Sequence, residues 1–142
     1  KIKPGKTHDD VMLSMDWLPT FASLLSMDVT HRMDGRDMSA LLLGGEALAN
    51  DRTLVWVRRE GRDMMGIPHS AVRQGHHKLV VNHPFEPPLM FNLADDPYEQ
   101  SPIEMKGNLT ARELEDLLQQ HIIASGRVPW RDPRGADLGL PH

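Results

Sequence analysis

Histidine is the residue type in this chain with the clearest capacity for chemistry. The 142-residue sequence has eight histidines, at positions 8, 31, 69, 76, 77, 83, 121 and 142. Histidine binds metal ions and exchanges protons near neutral pH, but two ligands on one helix face need a spacing of about four residues, which no pair here has. His76 and His77 are adjacent, so in a strand they point to opposite faces. The spacing argues against a metal site formed by this chain alone.

Other sequence patterns for catalysis are absent too. The chain has no cysteine, which excludes disulfides, thiolate ligands and a cysteine nucleophile. It has no Gly-rich phosphate loop, no Gly-x-Ser-x-Gly elbow and no zincin motif. Asp95 and Asp96 lack the glycine and terminal glutamate of an EF-hand loop, which favours a turn over a calcium site. We therefore expect no catalytic and no metal-binding residue in this chain.

Composition narrows the class of protein further. The formal charge is -4, from 16 Lys and Arg against 20 Asp and Glu without a basic block, so nucleic-acid binding is not favoured. No apolar run approaches the roughly 20 residues of a membrane span. The first six residues carry neither an initiating methionine nor a hydrophobic segment behind them. We expect them to continue from a preceding part of a longer polypeptide.

Apolar and β-branched residues cluster in four short stretches that predict antiparallel strands. The stretches are 53–58, 71–72, 79–81 and 89–91. Gly75 is placed to turn the chain between the second and third. The first stretch is apolar on both faces, which predicts a central strand leading into an exposed loop.

Helical spacing marks three further segments. Leu18, Phe21, Ala22 and Leu25 fall on one face of a helix over 17–25, for which Asp16 is the expected N-cap. A second, short helix is expected over 37–43, capped by Asp37. The clearest helix covers about 110–124, where Thr110 and Glu113 match a capping box and Leu109 is expected to staple onto Leu114. The fold predicted is α+β, a small four-stranded antiparallel sheet packed against a C-terminal amphipathic helix and preceded by one or two short helices.

Six short motifs follow one another in a specific order over residues 2–100. They are Ile-Lys-Pro-Gly-Lys from residue 2, Ser-Met-Asp-Trp-Leu-Pro-Thr from 14, Met-Asp-Gly-Arg-Asp from 33, Val-Trp at 55, Ala-Val-Arg-Gln-Gly-His-His-Lys-Leu-Val from 71 and Phe-Asn-Leu-Ala-Asp-Asp-Pro-Tyr-Glu from 91. This order resembles the C-terminal part of a type I sulfatase, the formylglycine-dependent arylsulfatase family of the alkaline-phosphatase-like superfamily. Two departures from the family pattern are His77, where an aromatic residue is usual, and the Ser-Pro-Ile segment from residue 101.

The resemblance implies a division of the chain. Residues 1–50 would be a link and helices from the end of the catalytic α/β domain, 51–126 the sulfatase C-terminal subdomain, and 127–142 an extended tail. The family's Cys/Ser-x-Pro-x-Arg signature and calcium-binding aspartates are absent from this sequence. The resemblance therefore implies a parent enzyme that uses calcium and a formylglycine residue, a chain that is inactive alone, and a periplasmic or secreted location like that of other sulfatases.

In similar proteins, loops of this subdomain border the substrate cleft. The candidates for contact with an anionic sulfated sugar are Arg58, Arg59, His69 and His83, because arginine forms paired bonds to anions and histidine bonds to hydroxyls. The alternative for each is a solvated loop charge or a turn-stabilising histidine. Arg73, Gly75 and Lys78 are interpreted as structural.

The expected function is thus that of a non-catalytic sulfatase part which stabilises a preceding catalytic domain and borders its cleft. Two alternatives stay open. One is a free-standing module that binds anionic glycans, and the other is the C-terminal domain of a phosphonate or phosphodiester hydrolase of the same superfamily. An apolar surface including parts of Met12, Leu13, Trp17 and Phe21 is expected to face the catalytic domain, so the isolated chain is expected to self-associate.

Overall fold

The structure is a computed structural model that describes residues 2, 4–45, 52–58, 69–83 and 85–125. The chain divides into two compact units, Lys1–Asn50 and Asp51–His142. Arg59, the helix end expected at Gly126 and the tail expected over 127–142 lie outside the described residues. Within the described part of the chain, no helix has the length and apolar character needed to cross a membrane.

The first unit is a short helical segment. A 3-10 turn, Ser14–Asp16, runs into α1, Trp17–Leu24, and α2 follows at Ser39–Leu42. Asp16 holds the predicted N-cap position of α1, but its carboxylate makes no capping hydrogen bond to the helix. It is fully buried and instead accepts hydrogen bonds from the Leu13 amide at 2.7 Å and the Arg36 amide at 2.8 Å.

The same buried contact extends through two more residues. The Thr20 hydroxyl donates to the Asp16 carbonyl at 2.6 Å and accepts from the Met38 amide at 3.0 Å. At Gly35 an added Cβ would lie 2.0 Å from the Met15 carbonyl oxygen, so no side chain fits there. The segments around Asp16 and around Arg36 are therefore joined by buried hydrogen bonds. Removing one partner of such a bond leaves a buried polar group unpaired and lowers the free energy of unfolding.

The prediction that Asp37 caps α2 is wrong by one residue, because Met38 holds the N-cap position. The Asp37 carboxylate lies just before it and accepts a hydrogen bond from the Ser39 amide, the first amide of the helix, at 2.7 Å. Partial burial raises the pKa of Asp37, but bonds from the Ser39 amide and hydroxyl and from the Ser23 hydroxyl outweigh that cause, and the pKa lies below its ordinary value of 3.8.

The second unit is a four-stranded antiparallel sheet with one long helix. The strands are β1 Thr53–Arg58, β2 His69–Gln74, β3 His77–Val81 and β4 Leu89–Asn92, in the spatial order β1-β2-β3-β4. The α+β prediction is confirmed, and α3 spans Leu109–Ser125. The expectation of a central first strand is wrong, because β1 is an edge strand among the described residues.

One face of the sheet packs on α3. Register places Val55, Val72, Leu79 and Met90 in one row across the four strands. The last three are buried together with Ala111, Leu114 and Leu118 of the helix, and Val55 packs against this core. Because side chains alternate along a strand, the neighbouring residues, including Trp56, Ala71 and Val80, lie on the other face.

Three details around α3 and β4 differ from expectation. The helix begins two residues earlier than the Thr110 cap requires, and the Asn108 side chain caps it by accepting from the Ala111 amide at 3.3 Å. Leu109 is 71% exposed and does not staple onto Leu114, which is buried. In the departing Ser-Pro-Ile segment, the Ile103 amide donates to the Met90 carbonyl at 2.7 Å and forms an isolated bridge beside β4.

Candidate functional site

The sheet register brings three of the four candidate residues to one end of the sheet. Arg58, the last residue of β1, pairs with His69, the first of β2. In β3, Val80 pairs with Leu89, the first residue of β4, and Val81 ends the strand opposite Ser70 of β2. His83 lies in the connection from β3 to β4, so it is at the same end of the sheet as Arg58 and His69. We call this the Arg58 end. Arg59, the fourth candidate, lies outside the described residues.

Arg58 and His69 are direct cross-strand neighbours with exposed side chains on the face of the sheet opposite α3. Side chains in such positions have Cβ atoms about 5 Å apart. A guanidinium and an imidazole at that separation can contact the same anion, the first with two parallel N–H donors and the second with one. Trp56, two residues before Arg58 on the same face, is 41% exposed and adds an aromatic surface beside them.

His83 is half-buried and forms a local turn with an aromatic residue that the sequence did not single out. Its Nδ1 accepts a hydrogen bond from the Phe85 amide at 3.2 Å. The two rings lie 5.4 Å apart between centroids and are tilted by 51°. Phe85 itself is 90% exposed. A phenylalanine in a Pro-rich loop carries no periodic signal, which is why only the structure reveals it.

The opposite end of the sheet, which we call the hairpin end, is where Gly75 and His76 connect β2 to β3. Gly75 has a φ of 57°, the positive value that a two-residue hairpin loop requires at its first position. The Arg73 Nε donates to the Gly75 carbonyl at 2.9 Å, and Lys78 forms an ion pair with Glu99 at 2.5 Å. Arg73 and Lys78 therefore bond to other groups of this subdomain, in keeping with the structural role predicted for them.

A turn secured by Asp96 follows β4. Its carboxylate accepts from the Ser101 amide at 2.8 Å and the Gln100 amide at 3.1 Å. These two bonds, in that order, lower the pKa of Asp96 below the ordinary value of 3.8. The Asp96 carboxylate thus stabilises the turn by accepting hydrogen bonds from nearby backbone amides. Within the described ranges, no group of three or more His, Cys, Asp or Glu side chains is arranged to hold a metal ion.

Comparison with known proteins gives one sequence relative and several structural ones. Arylsulfatase A of Bos taurus is 32% identical over 120 residues, covering 69% of this chain and 23% of that protein. The chain therefore spans about a quarter of the length of this curated relative. No family model matches the chain.

Solved structures share the fold at lower sequence identity. A protein of Bacteroides thetaiotaomicron VPI-5482 described as a candidate sulfatase has a TM-score of 0.72 and 22% identity, over 94% of this chain and 31% of that chain. A protein determined in complex with its substrate D-glucosamine-2-N,6-O-disulfate has a TM-score of 0.62 and 20% identity, over 86% and 25%. The phosphonate monoester hydrolase of Agrobacterium radiobacter has a TM-score of 0.52 and 19% identity, over 80% and 25%. With the motif order, the α+β architecture and the sequence relative, these likenesses show that the chain belongs to the sulfatase family, as a C-terminal-like part of such a protein.

Proposed function

We propose that this chain is the C-terminal part of a sulfatase in which the Arg58 end borders the substrate cleft of a catalytic domain in the same polypeptide. The observation that carries the proposal is the pairing of Arg58 with His69, with His83 at the same end of the sheet. In this proposal residues 1–50 close the catalytic domain and residues 51–126 form the C-terminal subdomain. The division of the structure between Asn50 and Asp51 supports that boundary.

The chemistry of these side chains suits a sulfated sugar. A sulfate ester carries a negative charge on oxygens that a guanidinium contacts in a bidentate manner, and sugar hydroxyls bond well to imidazole nitrogens. The structural relative with a bound disulfated glucosamine supports a sugar over a simple aryl sulfate as substrate. Arg59 is proposed as a further anion contact on the strength of its position beside Arg58 in the sequence.

The catalytic step would be supplied by the rest of the parent enzyme. Calcium and a formylglycine, the cofactors of the family, would activate the sulfate group there. This chain has no cysteine and no Ser-x-Pro-x-Arg sequence from which formylglycine is made, and its described residues hold no metal-ligand cluster. Its own role is to bind and orient the sugar, so we propose that the chain alone does not hydrolyse sulfate esters.

A pair of assays tests this division of labour. The 142-residue chain and the longer polypeptide that contains it are each incubated with an aryl sulfate and with a 6-O-sulfated disaccharide. We expect turnover by the longer polypeptide and no rate above buffer for the chain alone. Measurable hydrolysis by the chain alone, or none by the longer polypeptide, would contradict the proposal.

Substitutions in the longer polypeptide test the substrate contacts. Arg58→Ala and His83→Ala should raise KM for the sulfated disaccharide by roughly 10-fold or more, the loss expected for a hydrogen bond to a charged group. The effect on kcat for an aryl sulfate should be small. Lys78→Ala, which removes a cation at the hairpin end, is the matched control and should leave KM unchanged.

The exposed side of α1 supports a further element of the proposal, a surface for the catalytic domain. Trp17 is 45% and Phe21 50% exposed, and their rings stack at 5.3 Å between centroids. Met12 and Leu13 are half-buried. Large contiguous apolar surface of this kind favours association. Light scattering should show that the isolated chain self-associates, and a strictly monomeric chain would count against a buried role for α1.

Two alternatives have distinct signatures. A free-standing glycan-binding module would be retained on heparin or chondroitin sulfate, and no longer polypeptide that contains the chain would hydrolyse a sulfate ester. A hydrolase of phosphonates or phosphodiesters is favoured by the structural likeness to a phosphonate monoester hydrolase. It would show parent turnover of a phosphonate monoester exceeding that of every sulfate ester tested.

A further inference from the structure

We propose that Phe85 is a saccharide-stacking residue at the Arg58 end, whose ring packs against the C–H face of one sugar unit while His83 donates a hydrogen bond to a hydroxyl of that unit. The inference rests on the proposed function and narrows its ligand to a sulfated saccharide, since a stacking platform for a sugar ring is of no use to a small inorganic anion.

The exposure of Phe85 is the first observation behind this proposal. At 90% it is the most exposed large hydrophobic residue in the described part of the chain. The next most exposed aromatic there, Tyr98 at 83%, follows β4 and lies towards the hairpin end. Phe85 is therefore an apolar ring presented to solvent beside His83, at the end of the sheet where Arg58 and His69 also lie. The electron-rich face of such a ring attracts the weakly positive C–H groups of a sugar.

The second observation is that the ring is held by a formed turn. The Phe85 amide donates to His83 Nδ1 at 3.2 Å, and the Glu86 amide donates to the His83 carbonyl at 3.2 Å. The His83 and Phe85 rings contact each other, with 5.4 Å between their centroids and a tilt of 51°. The hydrogen bonds order the backbone from which the Phe85 ring projects, and an ordered segment loses less freedom on binding than a mobile one.

The same hydrogen bond sets the tautomer of His83. Because Nδ1 accepts the Phe85 amide proton, a neutral imidazole carries its own proton on Nε2. His83 thus presents a donor on its outer side, next to the Phe85 ring. A sugar hydroxyl can accept a hydrogen bond from this donor while the sugar ring stacks on Phe85. A small inorganic anion could make only the first of these two contacts.

Charge determines which side of the ring the sulfate group occupies. Glu86 is exposed and follows Phe85 directly, so its carboxylate repels a sulfate group placed near it. Arg58 and His69 lie at the other side of the sheet end, on β1 and β2. The sulfate of the stacked or neighbouring sugar unit is therefore expected to point towards Arg58.

Saturation-transfer NMR on the 142-residue chain tests the proposal, with a heparin-derived tetrasaccharide as the probe. Wild-type protein should transfer saturation to sugar-ring C–H protons. Phe85→Ala should weaken binding by about fivefold, in keeping with loss of one aromatic contact, whereas Phe85→Trp should retain it. Tyr98→Ala is the matched control and should bind as wild type. Amide NMR spectra of each variant establish that the fold is intact.

Several outcomes would overturn the inference. They are equal binding by wild type and Phe85→Ala, equal losses in Phe85→Ala and Tyr98→Ala, and no transfer to the probe from wild-type protein. The first two leave the proposed function standing, whereas absence of transfer from wild-type protein also counts against the proposed sugar contacts at the Arg58 end. Conversely, a longer polypeptide that hydrolyses no sulfate ester contradicts the proposed function whatever Phe85 does.

Discussion

The hairpin end of the sheet carries Arg73 and Lys78, which bond to the Gly75 carbonyl and to Glu99. The Arg58 end carries the cross-strand pair Arg58 and His69 and, in the β3–β4 connection, the exposed Phe85. Arg58 and Lys78 are both cations on the same face of the sheet, so the comparison teaches that a cation on a sheet does not mark a binding site by itself. The Arg58 end is proposed as the binding site because it also carries imidazoles and an exposed aromatic ring.

The largest expected effect on stability comes from the hairpin end. Gly75→Ala places a side chain at a φ of 57°, which should lower the free energy of unfolding by about 1–2 kcal/mol. His76→Ala, in the same loop at a residue without positive φ, should change it little. Chemical denaturation of both variants measures the difference. Equal stabilities for the two variants would show that the turn does not depend on glycine.

The next effect separates the two cations. Lys78→Ala removes an ion pair whose side chains are 24% and 31% exposed, so it should destabilise the chain by at most about 1 kcal/mol and leave glycan binding unchanged. Arg58→Ala should weaken binding to a sulfated tetrasaccharide, because it removes the proposed guanidinium contact to the sulfate group. Thermal melts and saturation-transfer titrations on the same samples give both quantities. Weaker glycan binding by Lys78→Ala, with unchanged binding by Arg58→Ala, would place the binding site at the hairpin end and contradict the proposal.

The smallest expected effect is confined to acid. The amides of Ser101 and Gln100 lower the pKa of Asp96 in the folded chain below 3.8. A carboxylate with a lowered folded pKa stabilises the fold above its ordinary pKa, and this contribution is lost as pH falls through the lowered value. Melting temperatures of wild type and Asp96→Asn should therefore converge at strongly acidic pH and differ near neutral pH. A constant difference across that range would contradict the linkage.

Local patterns in the sequence were sufficient to predict much of the fold. Clusters of apolar and β-branched residues predicted strands around Val72 and Leu79, and the helical spacing of Leu114 and Leu118 predicted α3. Both signals are local in the sequence. The core that these four residues build follows directly from those signals.

Pairing and caps were harder to predict because they depend on groups distant in the sequence or on competing neighbours. Asp16 bonds to the amide of Arg36, twenty residues away, rather than to its own helix. Asn108, two residues before Thr110, is the residue that caps α3. In the site, Arg58 and His69 were each recognised as loop-end polar residues, but only the register of β1 and β2 shows that they are neighbours.

The most direct test of the central claim is an amide NMR titration of the 142-residue chain with a heparin-derived tetrasaccharide. If the Arg58 end contacts sulfated sugar, amide signals of Arg58, His69, His83 and Phe85 should shift with saccharide concentration, while those of Gly75 and Lys78 should stay in place. Shifts centred on the hairpin end, or no shifts at either end, would contradict the account.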